Sequence, residues 1–375
     1  YFDLMVLKKK QKRLIFFLPS FTLGGAGESI FKLSKFLVKY NFSILIISLG
    51  KNSYKKDFKK INCEIVEIDS SKTLFSIFKL RKLVIKETKK NFDKLVFISN
   101  LNYANIISII SLLNLNKIKV ILTERSSISE LNYSNSLSSK FKNKIIYFLA
   151  KFLYKFSDLI ITNSKFEKKY IRNKFQLNDV ICIHPPSIKY IIKKNKNNNY
   201  KKILNIIYVG RLAKEKGILV ILKALTNLNK KYKFLFNIYG DGPERKSIEK
   251  FIKMNNLNKI ISLKGFEQNK KLIFKNADLF INASLWEGLP NALVQSINYN
   301  VFPICSDAPG GNMEVIQNGK LGISFKTNDE NDLQKKIKKF LNKRFKLSNK
   351  IRIQHLKNYT ELESNQKYLK TLNKL

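Results

Sequence analysis

Short, continuously apolar runs recur along the whole chain, and between many of them the apolar residues are spaced as in helices. The runs have the length of strands; they occupy 14–19, 43–49, 64–68, 94–98, 118–122, 158–162, 204–210, 234–240, 259–264, 278–281 and 301–305. Strands that are apolar on both sides are typical of parallel sheets covered by helices on both faces. The sequence therefore predicts an α/β fold with doubly wound, mostly parallel sheets.

A break in this rhythm divides the 375 residues into two parts. Pro185-Pro186 stops regular structure, and the lysine- and asparagine-rich stretch at 193–202 has no apolar face, which is typical of a linker. A chain of this length favours two domains, at about 150 residues each. We expect a first domain over 1–190, a second over 200–355, and a C-terminal helix over 356–375.

The net charge of +44 comes from 71 Lys and Arg residues against 27 Asp and Glu, and only eight of the basic residues are Arg. Heavy use of Lys, Ile, Asn, Phe and Tyr is consistent with A/T-rich codons expressed on a solvated surface. The alternative is attraction to an anionic surface, such as a phospholipid leaflet that bears a lipid-linked acceptor. Nucleic acid is a further anionic partner, but no recognition motif supports it.

Cysteine and histidine are scarce and scattered. Cys63, Cys182 and Cys305 are isolated, and the chain has two histidines, so we predict neither a disulfide framework nor a metal site and expect a reducing, cytoplasmic location. No apolar run reaches the roughly 18 residues needed to span a bilayer. The basic N-terminus leads directly into a strand and does not resemble a signal peptide, and Met5 is a candidate natural start.

The stretch from Leu279 to Glu314 carries the strongest functional signal. A short strand is followed by Glu287 between Trp286 and Gly288, a helix predicted from Pro290, and a second strand that ends before Asp307 and Gly310-Gly311. Loops that follow parallel strands face the ligand crevice, so Glu287 and the 307–311 turn should share one wall of it. Backbone N–H groups at a helix start suit phosphate, and a carboxylate suits sugar hydroxyls.

A second loop, GRLAKEKG at 210–217, follows the strand at 204–210. Arg211 and Lys216 can both point into the crevice from this loop, where a planar guanidinium and a compact ammonium group suit an anionic ligand. The alternative is that they are ordinary surface cations of a lysine-rich protein. GDGPER at 240–245 is a glycine turn at a helix start, to which we assign a shaping role.

Three features of the first half have both a structural and a functional interpretation. The glycines at 24–27 can make a tight turn, whereas the family resemblance given below would place them beneath donor phosphates. Glu124 and Arg125 follow a strand, either as a solvated ion pair or as contacts to an acceptor. The helix at 141–156 is basic and strongly apolar; most of its apolar residues should be core, but Phe152 with Lys151 and Lys155 can instead lie on a membrane.

The segments EGLPNALVQS at 287–296 and GRLAKEKG resemble the retaining glycosyltransferases of the GT-B fold, specifically family 4. The resemblance implies two Rossmann-like domains with a cleft between them and a C-terminal helix that crosses back to the first domain. It assigns catalytic roles to Arg211, Lys216 and Glu287, and an acceptor-side position to Glu124 and Arg125. The residues that it assigns to donor binding are Gly24, Gly25, Gly210, Gly240, Gly242, Pro243, Leu289, Pro290, Asn291 and Gln295.

The implied reaction moves a sugar from a nucleotide-diphosphate sugar to a hydroxyl of a glycan or lipid-linked acceptor, with retention and without cofactor or metal, in surface polysaccharide or glycolipid synthesis at the inner face of the membrane. One position departs from the family pattern: Gln295 stands where a second Glu would hold the ribose hydroxyls. A neutral amide should weaken nucleotide binding by about 1 kcal/mol, near fivefold. The alternatives are a basic membrane- or nucleic-acid-binding protein on a Rossmann scaffold, and a module that binds nucleotide sugar without turnover.

Overall fold

The computed structural model describes residues 11–20, 25–50, 52–68, 73–132, 137–193, 203–229 and 232–375. Its strands are β1 (Lys12–Phe17), β2 (Phe42–Leu49), β3 (Glu64–Ile68), β4 (Lys94–Asn100), β5 (Lys119–Glu124), β6 (Leu159–Thr162), β7 (Val180–Cys182), β8 (Leu204–Val209), β9 (Phe234–Tyr239), β10 (Ile261–Gly265), β11 (Leu279–Asn282), β12 (Phe302–Ser306) and β13 (Ile323–Phe325). Its α-helices are α1 (Gly25–Leu37), α2 (Lys55–Lys60), α3 (Ile77–Thr88), α4 (Asn102–Leu112), α5 (Leu137–Leu153), α6 (Lys165–Phe175), α7 (Ile218–Asn229), α8 (Arg245–Met254), α9 (Lys270–Phe274), α10 (Asn291–Asn298), α11 (Asn312–Val315), α12 (Glu330–Lys343), α13 (Asn349–Leu356) and α14 (Glu361–Lys374).

The strands form two parallel sheets, which confirms the predicted α/β fold. The first sheet has the order β3-β2-β1-β4-β5-β6-β7, and the second has the order β10-β9-β8-β11-β12-β13. In each sheet the chain starts near the middle, runs to one edge and returns to the other side, as in a doubly wound fold. Strands β7 and β13 were not predicted, because three residues at a sheet edge are too short to carry a periodic signal.

Two compact units contain these sheets. The first comprises 1–163, 168–183 and 365–375, and the second comprises 164–167 and 184–364. The division thus falls after Ile183, somewhat before the predicted linker, and residues 194–202 of that linker lie outside the described part of the chain. Helix α14 begins in the second unit, and its residues from Asn365 onward belong to the first.

The first unit buries a separate apolar cluster on each face of its sheet. On one face Ile15, Phe17 and Phe97 pack against α3, α4 and α5. On the other face Leu14 and Phe16 pack against α1, and Tyr368 and Leu372 of α14 join the same cluster. The continuous apolar strands of the sequence are explained by this double coverage.

The second unit has one large apolar cluster. The apolar face of α7, with Ile221, Leu222 and Leu225, is fully buried in it, and α7 also packs against α12. Within the described residues, none of the helices is long and apolar enough to cross a bilayer.

Candidate active site

The loop between β8 and α7 carries two of the predicted catalytic residues and is held by its neighbours on both sides. The hydroxyl of Tyr208 donates to the carbonyl of Arg211 at 2.9 Å. Burial, and then the carboxylates of Glu287 and Glu215, raise the pKa of Tyr208 well above its ordinary value, so the hydroxyl remains a donor. Gly217 ends the loop at φ 61°, where a Cβ would lie 2.1 Å from the carbonyl oxygen of Ala283. Only glycine allows this left-handed turn to pack directly on the end of β11.

Lys216 and Glu287 come together across these two strand ends. The Nζ atom of Lys216 donates to Oε1 of Glu287 at 2.7 Å, and the hydroxyl of Ser284 donates to the same oxygen at 2.7 Å. The side chains are 22% and 15% exposed, so the pair is partly desolvated yet open to a ligand. It places one fixed cation and one fixed carboxylate side by side at the carboxyl ends of β8 and β11.

Arg211 lies in the same loop but has a different partner. Its guanidinium forms an ion pair with Glu215, four residues later, and its side chain is 67% exposed. The carbonyl of Glu215 accepts the backbone N–H of Leu285 at 2.8 Å, which ties this loop to the one that carries Glu287. The structure thus brings Lys216 and Glu287 into contact, while the Arg211 guanidinium pairs with Glu215 and stays largely exposed.

The 307–311 turn clamps the Glu287 loop. The N–H of Glu287 donates to the carbonyl of Pro309 at 3.0 Å, and the N–H of Gly311 donates to the carbonyl of Gly288 at 2.9 Å. Gly310 has φ 126°, and a Cβ there would stand 1.7 Å from the carbonyl oxygen of Glu287. The two loops thus pack backbone to backbone, which explains the glycines at 310 and 311.

Of the donor-binding residues predicted here, Leu289 and Pro290 directly precede α10, and Asn291 and Gln295 lie within it. The helix begins at Asn291, so Pro290 is the residue before it, and Leu289 is buried beneath Gly311. The amide of Gln295 donates through Nε2 to the carbonyl of Ser187 at 3.0 Å, and the hydroxyl of Ser187 donates to Oδ1 of Asn291 at 2.7 Å. The amide of Gln295 therefore donates a hydrogen bond that a carboxylate, which has no donor, could not make.

Gln295→Glu should accordingly have two separable effects. A carboxylate facing the Ser187 carbonyl loses a donor, so the melting temperature should fall by about 2–4 °C, as for a loss near 1 kcal/mol. Nucleotide affinity should still rise about fivefold if position 295 holds the ribose. Differential scanning fluorimetry and isothermal titration measure the two effects independently. Unchanged or weaker nucleotide binding would remove position 295 from the ribose site.

The glycines at 240 and 242 let two loops pack backbone to backbone. Gly240 has φ 141°, and a Cβ there would lie 1.8 Å from the carbonyl oxygen of Gly210. The carbonyl of Asp241 accepts the N–H of Leu212 at 2.9 Å, and the carbonyl of Leu212 accepts the N–H of Glu244 at 2.9 Å. This turn, with Gly242 and Pro243, shapes the Arg211 loop, in keeping with the role that the sequence suggested.

The first-unit predictions have a different outcome. Glu124 is buried, and its carboxylate accepts hydrogen bonds from the hydroxyl of Tyr154 and, at 2.8 Å, from the amide of Asn105. Arg125 donates from Nε to Oδ1 of Asn100 at 2.8 Å. A solvated Glu124–Arg125 ion pair is therefore wrong, because each side chain bonds to other residues of the first unit. The acceptor-side role of Glu124 and Arg125 stays a prediction. The hydrogen bonds of the Glu124 carboxylate link α4 to the turn after α5.

The remaining positions are the glycine turn at 24–27 and His184. Gly24 lies outside the described residues, and Gly25 is the first residue of α1. His184, which follows the 168–183 segment of the first unit, is buried; its Nε2 lies 2.7 Å from Oε1 of Glu314, and its ring lies against Tyr359.

Sequence reasoning missed two residues that support the site. Ser284 bonds Glu287, and Tyr208 fixes the Arg211 carbonyl. A signal existed for Ser284, since a hydroxyl two residues past a strand end belongs to the crevice loop. Tyr208 gave none, because within an apolar strand a tyrosine is indistinguishable from ordinary core.

Both halves of the chain match models of known protein families. The family model for glycosyl transferases group 1 matches residues 189–357, and the model for glycosyltransferase family 4 matches residues 23–188. The chain belongs to the group 1 glycosyltransferases of the GT-B type. The two matched segments correspond to the two halves of the chain that carry the two sheets.

Individual relatives of this group 1 glycosyltransferase align at moderate identity. An uncharacterised glycosyltransferase of Methanocaldococcus jannaschii is 29% identical over 259 residues, which covers 64% of this chain and 62% of that protein, just under two thirds of its length. The GalNAc-α-(1→4)-GalNAc-α-(1→3)-diNAcBac-PP-undecaprenol α-1,4-N-acetyl-D-galactosaminyltransferase of Campylobacter jejuni is 28% identical, covering 88% of this chain and 89% of that protein. The structure of Anabaena HepE in complex with UDP and glucose matches with a TM-score of 0.76 at 16% identity, covering 97% of this chain and 100% of that one, which shows the shared fold.

Proposed function

We propose that this group 1 glycosyltransferase moves a sugar, with retention of configuration, from a nucleotide-diphosphate sugar to a hydroxyl of a glycan or lipid-linked acceptor. In this proposal the protein acts in bacterial surface polysaccharide or glycolipid synthesis, at the inner face of the cytoplasmic membrane. The observation that carries it is the Lys216–Glu287 pair, 2.7 Å apart at the ends of two neighbouring strands, with Arg211 in the same loop.

The charges of this site match the two parts of such a donor. Lys216 is a compact cation that can meet one phosphate, and Arg211 adds a planar fork that can meet another. The first amides of α10 add N–H donors for the same anion. Glu287, held by Ser284, supplies an acceptor for sugar hydroxyls beside these cations.

The reaction needs no side-chain nucleophile. The bond from the anomeric carbon to the diphosphate breaks, the acceptor oxygen bonds to that carbon on the same face, and the acceptor proton passes to the departing phosphate oxygen. Arg211 and Lys216 would stabilise the negative charge that grows on that oxygen, which is where fixed charges lower a barrier most. The proposal therefore assigns neither a metal nor a cofactor to the reaction.

The names of relatives support the acceptor class. The Campylobacter jejuni relative is named for a sugar chain on diphospho-undecaprenol, and another relative, from Erwinia amylovora, is named for amylovoran biosynthesis. The bound UDP and glucose of the HepE structure support a nucleotide sugar as donor. A panel of UDP, GDP and ADP sugars would identify the base and the sugar of the donor.

A donor panel tests the proposal. At about 100 times its Kd, the correct nucleotide should stabilise the protein by about 2.7 kcal/mol, visible as a rise in melting temperature. Incubation of the matching nucleotide sugar with a polyprenyl-diphosphate-linked saccharide should then extend the saccharide, and NMR should show the same anomeric configuration as in the donor. A thermal shift without transfer to any acceptor would indicate a binding module, and inversion would overturn the retaining mechanism.

A further inference from the structure

Exposed apolar side chains are concentrated on one helical layer of the first unit. More than half of the large apolar residues exposed in the described part of the chain lie on α3, α4, α5 or the turns that adjoin them. They are Leu74, Phe75, Phe78, Ile110, Leu113, Phe141, Ile145, Phe148, Phe152 and Phe156. A concentration of this kind on one face marks an interaction surface.

Helix α5 presents the longest part of this surface. Phe141, Ile145, Phe148, Phe152 and Phe156 follow one another at steps of four and three residues, so they form a single row along the helix and the turn after it. Phe148 is 68% exposed and Phe152 is 53% exposed. The opposite side of the same helix, with Ile146 and Ala150, is buried in the core of the first unit. The aromatic row is thus additional to the face that the fold needs.

A row of lysines runs beside the aromatic row. Lys140, Lys144, Lys151 and Lys155 have the same helical spacing, one position before members of the apolar row. All four are exposed, and the Nζ atom of Lys155 lies 4.3 Å from the ring centroid of Phe152 and 5.2 Å from that of Phe156. Long lysine stems can lie along apolar surface while their ammonium groups point to anions.

The neighbouring helices extend the same surface. α4 packs against both α3 and α5, and Arg81 of α3 donates to the carbonyls of Ser111 and Leu113 at the end of α4. Phe78, at the start of α3, is 83% exposed. Beyond α3 a groove of about 640 Å³ is lined by apolar residues of β3 and α3, by Lys79, Lys82, Lys86 and Lys89, and by Glu67, which is paired with Lys55.

The exposed charged side chains on α3, α4 and α5 themselves are basic. The sequence from 137 to 156 and that of α4 contain no Asp or Glu, and the single acid of α3, Glu87, is buried against Arg13. Aromatic rings and lysines without acids form the combination that inserts into the headgroup region of an anionic bilayer. A protein partner would need acidic side chains and an apolar face matched to a surface that spans three helices.

We propose that α3, α4 and α5, with the turns that adjoin them, form the face by which this protein binds an anionic lipid bilayer, α5 lying in the interface with its aromatic row among the headgroups. The inference rests on the proposed function for its purpose, since it states where a lipid-linked acceptor would be met. Binding to lipid requires neither nucleotide nor acceptor, so either idea can fail without the other.

Vesicle binding tests the face directly. We expect the wild-type protein to co-sediment with vesicles of 70% phosphatidylcholine and 30% phosphatidylglycerol and to bind phosphatidylcholine vesicles at least about tenfold less. Phe148→Glu with Phe152→Glu should lower binding to the anionic vesicles about tenfold or more, because two charges would enter the interface. The matched control is Met254→Glu with Ile203→Glu, which adds the same charge at exposed apolar positions of the second unit and should bind like the wild type.

Each outcome decides the proposal. If both double variants lose vesicle binding equally, the loss reflects net charge and not this face. If the α5 variant loses no binding, the face does not contact the bilayer. Either result overturns the proposal. If the wild type self-associates without lipid and the α5 variant does not, the face binds a second copy, which also overturns it. Tryptophan fluorescence and melting temperature confirm that both variants are folded. In a Phe148→Trp variant, the fluorescence emission maximum should shift to shorter wavelength on binding anionic vesicles.

Discussion

Replacing Lys216 by Met should lower the rate constant for sugar transfer by about two to three orders of magnitude, the cost of removing one positioned charge from a developing oxyanion. Nucleotide affinity should fall much less, because the charge on the leaving phosphate grows only as the glycosidic bond breaks. Single-turnover rates and nucleotide titration, measured with the donor that the panel selects, separate the two effects.

Two neighbouring variants show whether the effect belongs to this cation. Lys214→Met removes an exposed lysine from the same turn and should keep nearly full activity. Lys216→Arg preserves the charge and should recover part of the rate. If Lys214→Met were as inactive as Lys216→Met, the loop would be acting through its shape or its summed charge, and Lys216 would have no catalytic role.

Glu287→Gln removes the negative charge that pairs with Lys216 but preserves the shape of the side chain. The amide oxygen can still accept from Lys216 and from Ser284, so the lysine should keep its position. We expect the rate of sugar transfer to fall about tenfold, less than for Lys216→Met. Binding of the nucleotide sugar should be affected, whereas binding of the free nucleotide should change little. A larger loss in binding of the free nucleotide would place Glu287 against the nucleotide and not the sugar.

The sheets and the crevice loops could be predicted from the sequence because they depend on local patterns. Buried parallel strands are continuous apolar runs, and the rule that loops after such strands meet at one edge placed Lys216 near Glu287 across 71 positions of sequence. The pairing itself could not be predicted, since it depends on a left-handed glycine at 217 packed on the carbonyl of Ala283.

Other contacts could not be predicted, because the partners come from distant elements. Glu124 follows a strand, as the sequence indicated, but no local pattern predicts its buried hydrogen bonds to Tyr154 and Asn105. The aromatic row of α5 was visible only in part, because periodicity alone does not say which of several apolar stripes the fold buries. Gln295 was compared with a family pattern, and its bond to Ser187 emerged only from the folded chain.

Arg13→Met should destabilise the first unit by about 3 kcal/mol, the lower end of the range for removing one partner of a buried ion pair. Arg13, in β1, is fully buried and bonds two carboxylates: Glu64 through both terminal nitrogens at 2.7 Å and Glu87 through Nε at 2.9 Å. Without the guanidinium, Glu87 would stay buried with only Lys90, 2.6 Å away, as an ionic partner. Urea unfolding followed by circular dichroism measures the loss.

The pH dependence supplies a signature that lost packing alone would not give. The hydrogen bond from Arg13, with its charge, lowers the pKa of Glu64. A carboxyl whose folded pKa is depressed adds stability above its unfolded pKa of about 4.3 and loses it as the pH falls through the folded value. Arg13→Met should therefore flatten the acid limb of the stability curve as well as lower its plateau.

A double variant decides between a charge effect and a cavity effect. Adding Glu87→Gln to Arg13→Met removes the stranded carboxylate, so the pair should be more stable than Arg13→Met alone by about 1–2 kcal/mol. If Glu87→Gln instead lowers stability by the same amount in both backgrounds, Arg13 and Glu87 are not coupled. The free-energy cost of Arg13→Met would then come only from changed packing around β1. That cost should be small, because methionine is a long apolar side chain that fills much of the arginine volume.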